Sequence, residues 1–334
     1  MKNLYKILFL LTTMTGTLMT ISSHNWMLMW MGLEINLLSI IPLMSSTKNK
    51  MESEAAMKYF ITQAMASTIF MFAIIISLSN NLEMKMVQSI IMDSAMLTKM
   101  GAAPFHFWFP EVMQGLSWLN SLMMLTWQKI APMIIFMHLP KSMTLLMISI
   151  TSSMIISGMM GMNQTDLRKI LAYSSINHIG WLMATTICNQ SIWITYMIVY
   201  TITSVNMILM FKMWKTFNIS QLINSMNKNK QMKLLFSMNF LSLGGIPPFI
   251  GFFPKWIIIM SMIEKMQIML TLIMIILTLI TLFFYMRITF SMLTMSTAET
   301  LKMIQTKTNN LGIMTLNILT LSSMILCPTM ISFL

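Results

Sequence analysis

Charge is what this chain of 334 residues has least of. Only 9% of the residues are Asp, Glu, Lys or Arg and 56% are hydrophobic, where an ordinary soluble domain has roughly a quarter charged. Too few polar side chains remain to cover a surface facing water, and the mean hydropathy is +0.74, so a lipid bilayer is the solvent. Cysteine is nearly absent: Cys188 and Cys327 alone cannot ligate an iron–sulfur cluster or a structural zinc, and no C-x-x-C occurs. Both read as apolar fillers. The longest polar stretches, near 45–56, 213–233 and 293–310, are connectors, which leaves no room for a soluble catalytic domain or a nucleic-acid-binding one. The one excess is methionine, 47 residues, often where a membrane span would use Ile or Leu. A mitochondrial code that reads a second codon as Met explains this better than a soft binding surface does.

A spanning helix needs about 20 apolar residues. Apolar runs between polar or Pro/Gly punctuation predict an all-α polytopic membrane protein of about eleven transmembrane helices, at 4–21, 25–44, 57–79, 87–103, 119–138, 143–161, 169–187, 192–212, 234–260, 268–290 and 311–331. The first run is followed by Ser22-Ser23-His24-Asn25 and another span rather than by a small-residue cleavage site, so it is expected to be retained.

The net charge of +12 has a topological explanation. Sorted by the side to which eleven spans assign them, Lys2, Lys6, Lys48, Lys50, Lys58, Arg168, Lys169, Lys212, Lys215, Lys228, Lys230, Lys233, Arg287, Lys302 and Lys307 fall with the N-terminus, and only Lys85, Lys141 and Lys265 fall opposite. This is the positive-inside pattern, and no nucleic-acid partner is needed to account for the charge. Three basic residues are left over, Lys99, Lys129 and Lys255, each inside a span.

A lysine near a bilayer centre costs about 2.5–3.5 kcal/mol on insertion scales. Lys129 falls about half-way along the fifth run, too deep to snorkel easily. Glu34, in the second run, is the only acid read near a span centre. Low dielectric disfavours the charged form of either group, which brings both toward proton exchange near neutral pH. One such residue could be a structural pin, whereas four spread over separate spans point to proton translocation.

Two segments repeat G-x-x-P-F-x-x-x-F-P: Gly101-Ala102-Ala103-Pro104-Phe105-His106-Phe107-Trp108-Phe109-Pro110 and Gly245-Ile246-Pro247-Pro248-Phe249-Ile250-Gly251-Phe252-Phe253-Pro254. They lie on the fourth and ninth runs, so five-helix units at 1–138 and 143–290 would begin on opposite sides of the membrane as an inverted repeat, with a helix at 311–331 beyond them. Proline removes a donor and glycine permits departure from helical geometry, so both spans should be broken there. Broken helices at matching positions mark ion sites in transporters. Lys99 precedes the first segment by two residues, and Lys255 follows the last proline of the second.

These segments, with Trp30-Met31-Gly32-Leu33-Glu34-Ile35-Asn36, Leu125-Thr126-Trp127-Gln128-Lys129-Ile130-Ala131-Pro132, Asn163-Gln164-Thr165-Asp166-Leu167-Arg168-Lys169 and Ala172-Tyr173-Ser174-Ser175-Ile176-Asn177-His178, resemble the antiporter-like membrane subunits of respiratory complex I, the proton-translocating NADH:ubiquinone reductase. The resemblance covers almost the whole chain. It implies a shortened antiporter-like fold in which Glu34 is coupled to Lys99, Lys129 is the connecting lysine and Lys255 the terminal one. Changes elsewhere in the complex would alter the Glu34–Lys99 pairing, and the charge change would pass through Lys129 to Lys255. His178 is a candidate relay member, equally a packing histidine, and His106 is treated the same way. The resemblance further implies that NADH, FMN, iron–sulfur clusters and ubiquinone sit on other subunits, with no cofactor or metal on this chain. Its implied partners are the other membrane-arm subunits and phospholipids, cardiolipin among them. It places the chain in the mitochondrial inner membrane with the N-terminus facing the matrix. A subunit of a multi-component sodium/proton antiporter, or a purely structural membrane subunit, would share much of this pattern.

Overall fold

The structure is a computed structural model, and it describes residues 4–46, 49–78, 84–140, 142–226 and 230–294. Among these residues the chain is helical throughout, with no strand beyond an isolated bridge between Asp166 and Asn218. In chain order the helices are α1 (Leu4–Ser22), α2 (Trp26–Met44), α3 (Lys50–Leu78), α4 (Met84–Met100), α5 (Trp108–Gly115), α6 (Trp118–Leu125), α7 (Trp127–His138), α8 (Met143–Met162), α9 (Leu167–Thr185), α10 (Gln190–Trp214), α11 (Ile219–Met226), α12 (Lys230–Gly244), α13 (Phe252–Glu264) and α14 (Ile268–Thr294). Six of them, α1, α2, α3, α8, α10 and α14, are long and apolar enough to cross a bilayer. The run expected at 311–331 lies outside the described residues.

Hydrocarbon offers no partner to a hydroxyl, and the Ser and Thr residues on these helices answer this locally. Thr13, Thr17, Thr20, Ser39, Ser67, Ser149, Ser153 and Ser157 each donate to the carbonyl three residues back. Helix α9 carries Arg168, Lys169, Ser174, Ser175, Asn177 and His178, yet it is buried almost from end to end. A helix buried all round is enclosed by protein on every side, which is the only setting in which so many polar groups are tolerated at membrane depth.

The chain divides into two compact units, Met1–Ser153 and Met154–Leu334. In the first, α3 packs along α2, α4 and α5, and α7 lies against α1, α2, α4 and α6. In the second, α14 packs on α12 and α13, and α9 touches α10, α13 and α14.

In each unit a helix stops at the repeated glycine. Helix α4 ends at Met100, Gly101 takes φ +72°, and helical structure resumes at Trp108. Helix α12 ends at Gly244, Gly245 takes φ +79°, and α13 begins at Phe252. A third interruption was not expected: the run 119–138 is divided into α6 and α7 at Thr126, which leaves the helix at φ −111°, ψ −71°. There the Thr126 amide and hydroxyl both turn to the Leu122 carbonyl, at 3.0 and 2.8 Å. Pro132, lacking an N–H, cannot return a bond to the Gln128 carbonyl one turn earlier. Helices α5 and α11 also fall in stretches that hydropathy assigns to connectors, because one or two turns of amphipathic helix give no span-length signal.

Candidate functional site

In the first unit Lys99 occupies the last turn of α4 and Lys129 the first turn of α7, at 6% and 2% exposure. Both ammonium-bearing side chains line one cavity, together with Asn36, Tyr59, Gln63 and Gln128. About 20 Å³ of it is open to water-sized molecules, room for about one water. The Lys129 Nζ stands 5.4 Å over the Phe109 ring, a cation–π contact with the helix that follows the first break.

Gln128 and Asn36 face each other in a reciprocal amide pair: the Asn36 Nδ2 donates to the Gln128 Oε1 at 3.1 Å, and the Gln128 Nε2 donates to the Asn36 Oδ1 at 2.9 Å. The Tyr59 hydroxyl adds a bond to the Gln128 Oε1 at 3.3 Å. This ties α2, which carries Glu34, to α7, which carries Lys129. Glu34 itself is half-buried, and its carboxylate acts electrostatically on Lys99 without closing to the 4.0 Å of an ion pair. Its Oε1 is sealed from solvent, with no hydrogen-bond partner among the described residues.

In the second unit Lys255 lies in the first turn of α13, 6% exposed, and reaches back across the break to donate to the Gly244 carbonyl at 2.7 Å. That carbonyl ends α12, so the cation sits at the negative end of a helix dipole. Its Nζ also stands 5.8 Å over the Trp181 ring of α9. One turn earlier on α9, His178 is 6% exposed, with Nδ1 2.8 Å from the Tyr196 hydroxyl and its ring 4.9 Å from that of Tyr200.

The structure thus brings Lys99 and Lys129 to one cavity with Glu34 in electrostatic reach, and it sets Lys255 over Trp181, three residues along α9 from His178. His106 serves the first break locally, its Nδ1 3.3 Å from the Pro104 carbonyl. One correction is needed: Glu34 is not the only acid inside a run. Asp93 on α4 is 1% exposed and accepts from the Ser142 N–H and Oγ–H at 3.0 and 2.7 Å. It stands two residues from the middle of the run 87–103. Asn36, Gln128 and Tyr196 were also missed as site residues, although Asn36 and Gln128 stand within two residues of Glu34 and Lys129.

A family model described as NADH:quinone oxidoreductase/Mrp antiporter, TM, matches residues 23–281. A protein named NADH-ubiquinone oxidoreductase chain 2 from Anopheles gambiae is 46% identical, the match covering 93% of this chain and 92% of that one. The chain belongs to this antiporter family, among the chain 2 subunits of NADH-ubiquinone oxidoreductase. The chain 2 protein of Bos taurus is 42% identical over 85% of this chain and 84% of its own. Among solved structures, a chain of respiratory complex I from Thermus thermophilus superposes with a TM-score of 0.85 at 20% identity, covering 96% of this chain and 78% of that one. A chain of an Mrp complex from a Dietzia species gives 0.75 at 14%, covering 95% and 74%. The antiporter-like fold is therefore common to both complexes and does not choose between them. The relatives above 40% identity carry that choice.

Proposed function

We propose that this chain is a core membrane-arm subunit of respiratory complex I in the mitochondrial inner membrane, where it contributes a proton path coupled to electron transfer from NADH to ubiquinone. The observation that carries the reading is three lysines at 6% exposure or less, each beside an interrupted helix, in a chain whose full-length relatives are chain 2 subunits. Burying one lysine is already unfavourable by about 2.5–3.5 kcal/mol at a bilayer centre, and three of them beside interrupted helices are more than a purely structural subunit requires.

In this reading Glu34 controls the charge of Lys99, Lys129 passes the proton on, and Lys255 is the terminal group with His178 beside it. The open Glu34–Lys99 spacing fits the state in which Lys99 is free to exchange with Lys129 through the shared cavity. The segments 101–107 and 245–251 are the broken helices of an inverted repeat within a bundle of about eleven spans. NADH, FMN, iron–sulfur clusters and ubiquinone belong to other subunits, since two cysteines supply too few ligands for a cluster. The positive-inside charge pattern supports a matrix-facing N-terminus. Large apolar side chains exposed along α1, α3 and α14, such as Leu8, Met65 and Leu279, support contact with neighbouring subunits and phospholipids, cardiolipin included.

Lys129→Met tests this, as it keeps the volume of the side chain and removes its charge. NADH-driven proton pumping is expected to fall while native gels show the complex assembled. Full pumping by an assembled variant would return the buried lysines to a structural role.

A further inference from the structure

Asp93 has no part in the scheme above, although it is the most deeply buried carboxylate among the described residues. It lies on α4 six residues before Lys99, about 9 Å along the helix axis. Its Oδ2 accepts twice from one residue, the backbone N–H and the hydroxyl of Ser142. Ser142 caps α8: its carbonyl takes the first intrahelical bond, from Leu146 at 3.0 Å. The carboxylate therefore stands at a helix N-terminus, where the dipole favours negative charge.

The position of Ser142 in the chain gives this contact its consequence. Helix α7 ends at His138 and α8 begins at Met143, so only residues 139–141 separate the anchored serine from the helix that bears Lys129. Helices α4 and α7 also pack directly on each other. The carboxylate thus fastens the helix of Lys99 to the far end of the helix of Lys129, and the two lysines share one cavity. With this contact in place, sliding of α4 against α7 is restrained at one end. At the other end the two lysines face a gap that has space for about one water, so a shift of an ångström would decide whether that water bridges them.

We propose that Asp93 is a positioning residue for proton transfer between Lys99 and Lys129, acting through its two hydrogen bonds to Ser142. The proposal rests on the translocation reading above. What matters in it is acceptance of those bonds rather than titration of the carboxylate. An asparagine keeps an acceptor oxygen in the same place, whereas a leucine does not.

The test compares NADH-driven protons pumped per NADH oxidised, with assembly checked on native gels, in membranes carrying Asp93→Leu, Asp93→Asn or Ser142→Ala, beside Lys129→Met. Asp93→Leu is expected to slow proton transfer through this chain about tenfold while NADH oxidation and assembly persist, and Asp93→Asn is expected to restore it. Should Asp93→Leu fail to assemble, Ser142→Ala decides: it removes one of the two bonds and is expected to lower the proton yield partially, and a wild-type yield would refute the proposal. An assembled Asp93→Leu complex with a normal yield would refute it directly. So would an Asp93→Asn complex as impaired as Asp93→Leu, since charge rather than position would then be at work. The translocation reading fails separately, if Lys129→Met pumps normally.

Discussion

Gly245→Ala is expected to disable the second unit while Gly244→Ala, one residue earlier, is tolerated. At Gly245 φ is +79°, and a Cβ built there would lie 2.9 Å from the Lys255 Nζ, 3.0 Å from its Cδ and 3.1 Å from its Cε. An L-residue in this left-handed region costs roughly 1–2 kcal/mol. Displacing the lysine also threatens its 2.7 Å bond to the Gly244 carbonyl, and hydrogen bonds to charged groups contribute about 1.5–3 kcal/mol. The two effects together reach about 2.5–5 kcal/mol, concentrated on the one side chain that the second break presents. At Gly244 no positive φ is involved, and a Cβ would meet only the Tyr285 Cδ2 at 3.5 Å and the Leu282 Cγ at 3.8 Å, ordinary contact distances. A methyl group in that last helical turn is mildly favourable. The assay is the proton yield per NADH of each variant, with assembled complex quantified on native gels. If Gly245→Ala assembles and pumps as Gly244→Ala does, the backbone at 245 does not position Lys255, and the reasoning fails.

Gln128→Leu should destabilise the first unit by about 1–3 kcal/mol, because it leaves the buried Asn36 amide unpaired. The double variant Asn36→Leu/Gln128→Leu should recover most of that loss, read as assembled complex against temperature. Cys188, in the turn after α9, has its thiol pushed above the usual range, chiefly by burial, with the Ser261 hydroxyl and the Lys265 ammonium opposing. Since the thiolate is the nucleophile, maleimide labelling of Cys188 should be slow at neutral pH and still accelerating at pH 9. A rate that levels off below pH 8 would contradict this.

Among the described residues the apolar runs fall on helices, six of them long and apolar enough to cross a bilayer, because a bilayer demands apolar length and length is easily read, while the runs 119–138 and 234–260 are each divided between two helices. The site was partly legible for the same reason: Lys99, Lys129 and Lys255 stand out against a background with almost no charge. What the sequence hid was contact. In the run 119–138 Pro132 signals a departure from helical geometry one turn earlier, but not that the break falls at Thr126, whose amide and hydroxyl both turn to the Leu122 carbonyl. For Asp93, near the middle of its run, the sequence shows depth but no partner: only the fold brings it to Ser142, 49 residues away. The Asn36–Gln128 pair spans 92 residues, and no local pattern encodes which of several polar side chains will meet.

The two repeated segments also differ in a way that bears on mechanism. The offset that aligns Gly101 with Gly245 aligns Glu111 with Lys255. Glu111 is exposed and bonded to Lys58 at 3.0 Å, whereas Lys255 is buried, so what the two segments have in common is the interruption and not the charge. In the second unit the interrupted helix brings its own lysine back to the freed carbonyl of Gly244. In the first, a Cβ at Gly101 would strike Phe109, with its nearest atoms 3.1–3.3 Å away, and it is the Phe109 ring that lies under Lys129 of a different helix. The same left-handed glycine therefore sets one lysine directly and the other through an aromatic ring. A change at Gly101 should reach Lys129 only as far as Phe109 transmits it, while a change at Gly245 meets Lys255 without an intermediary.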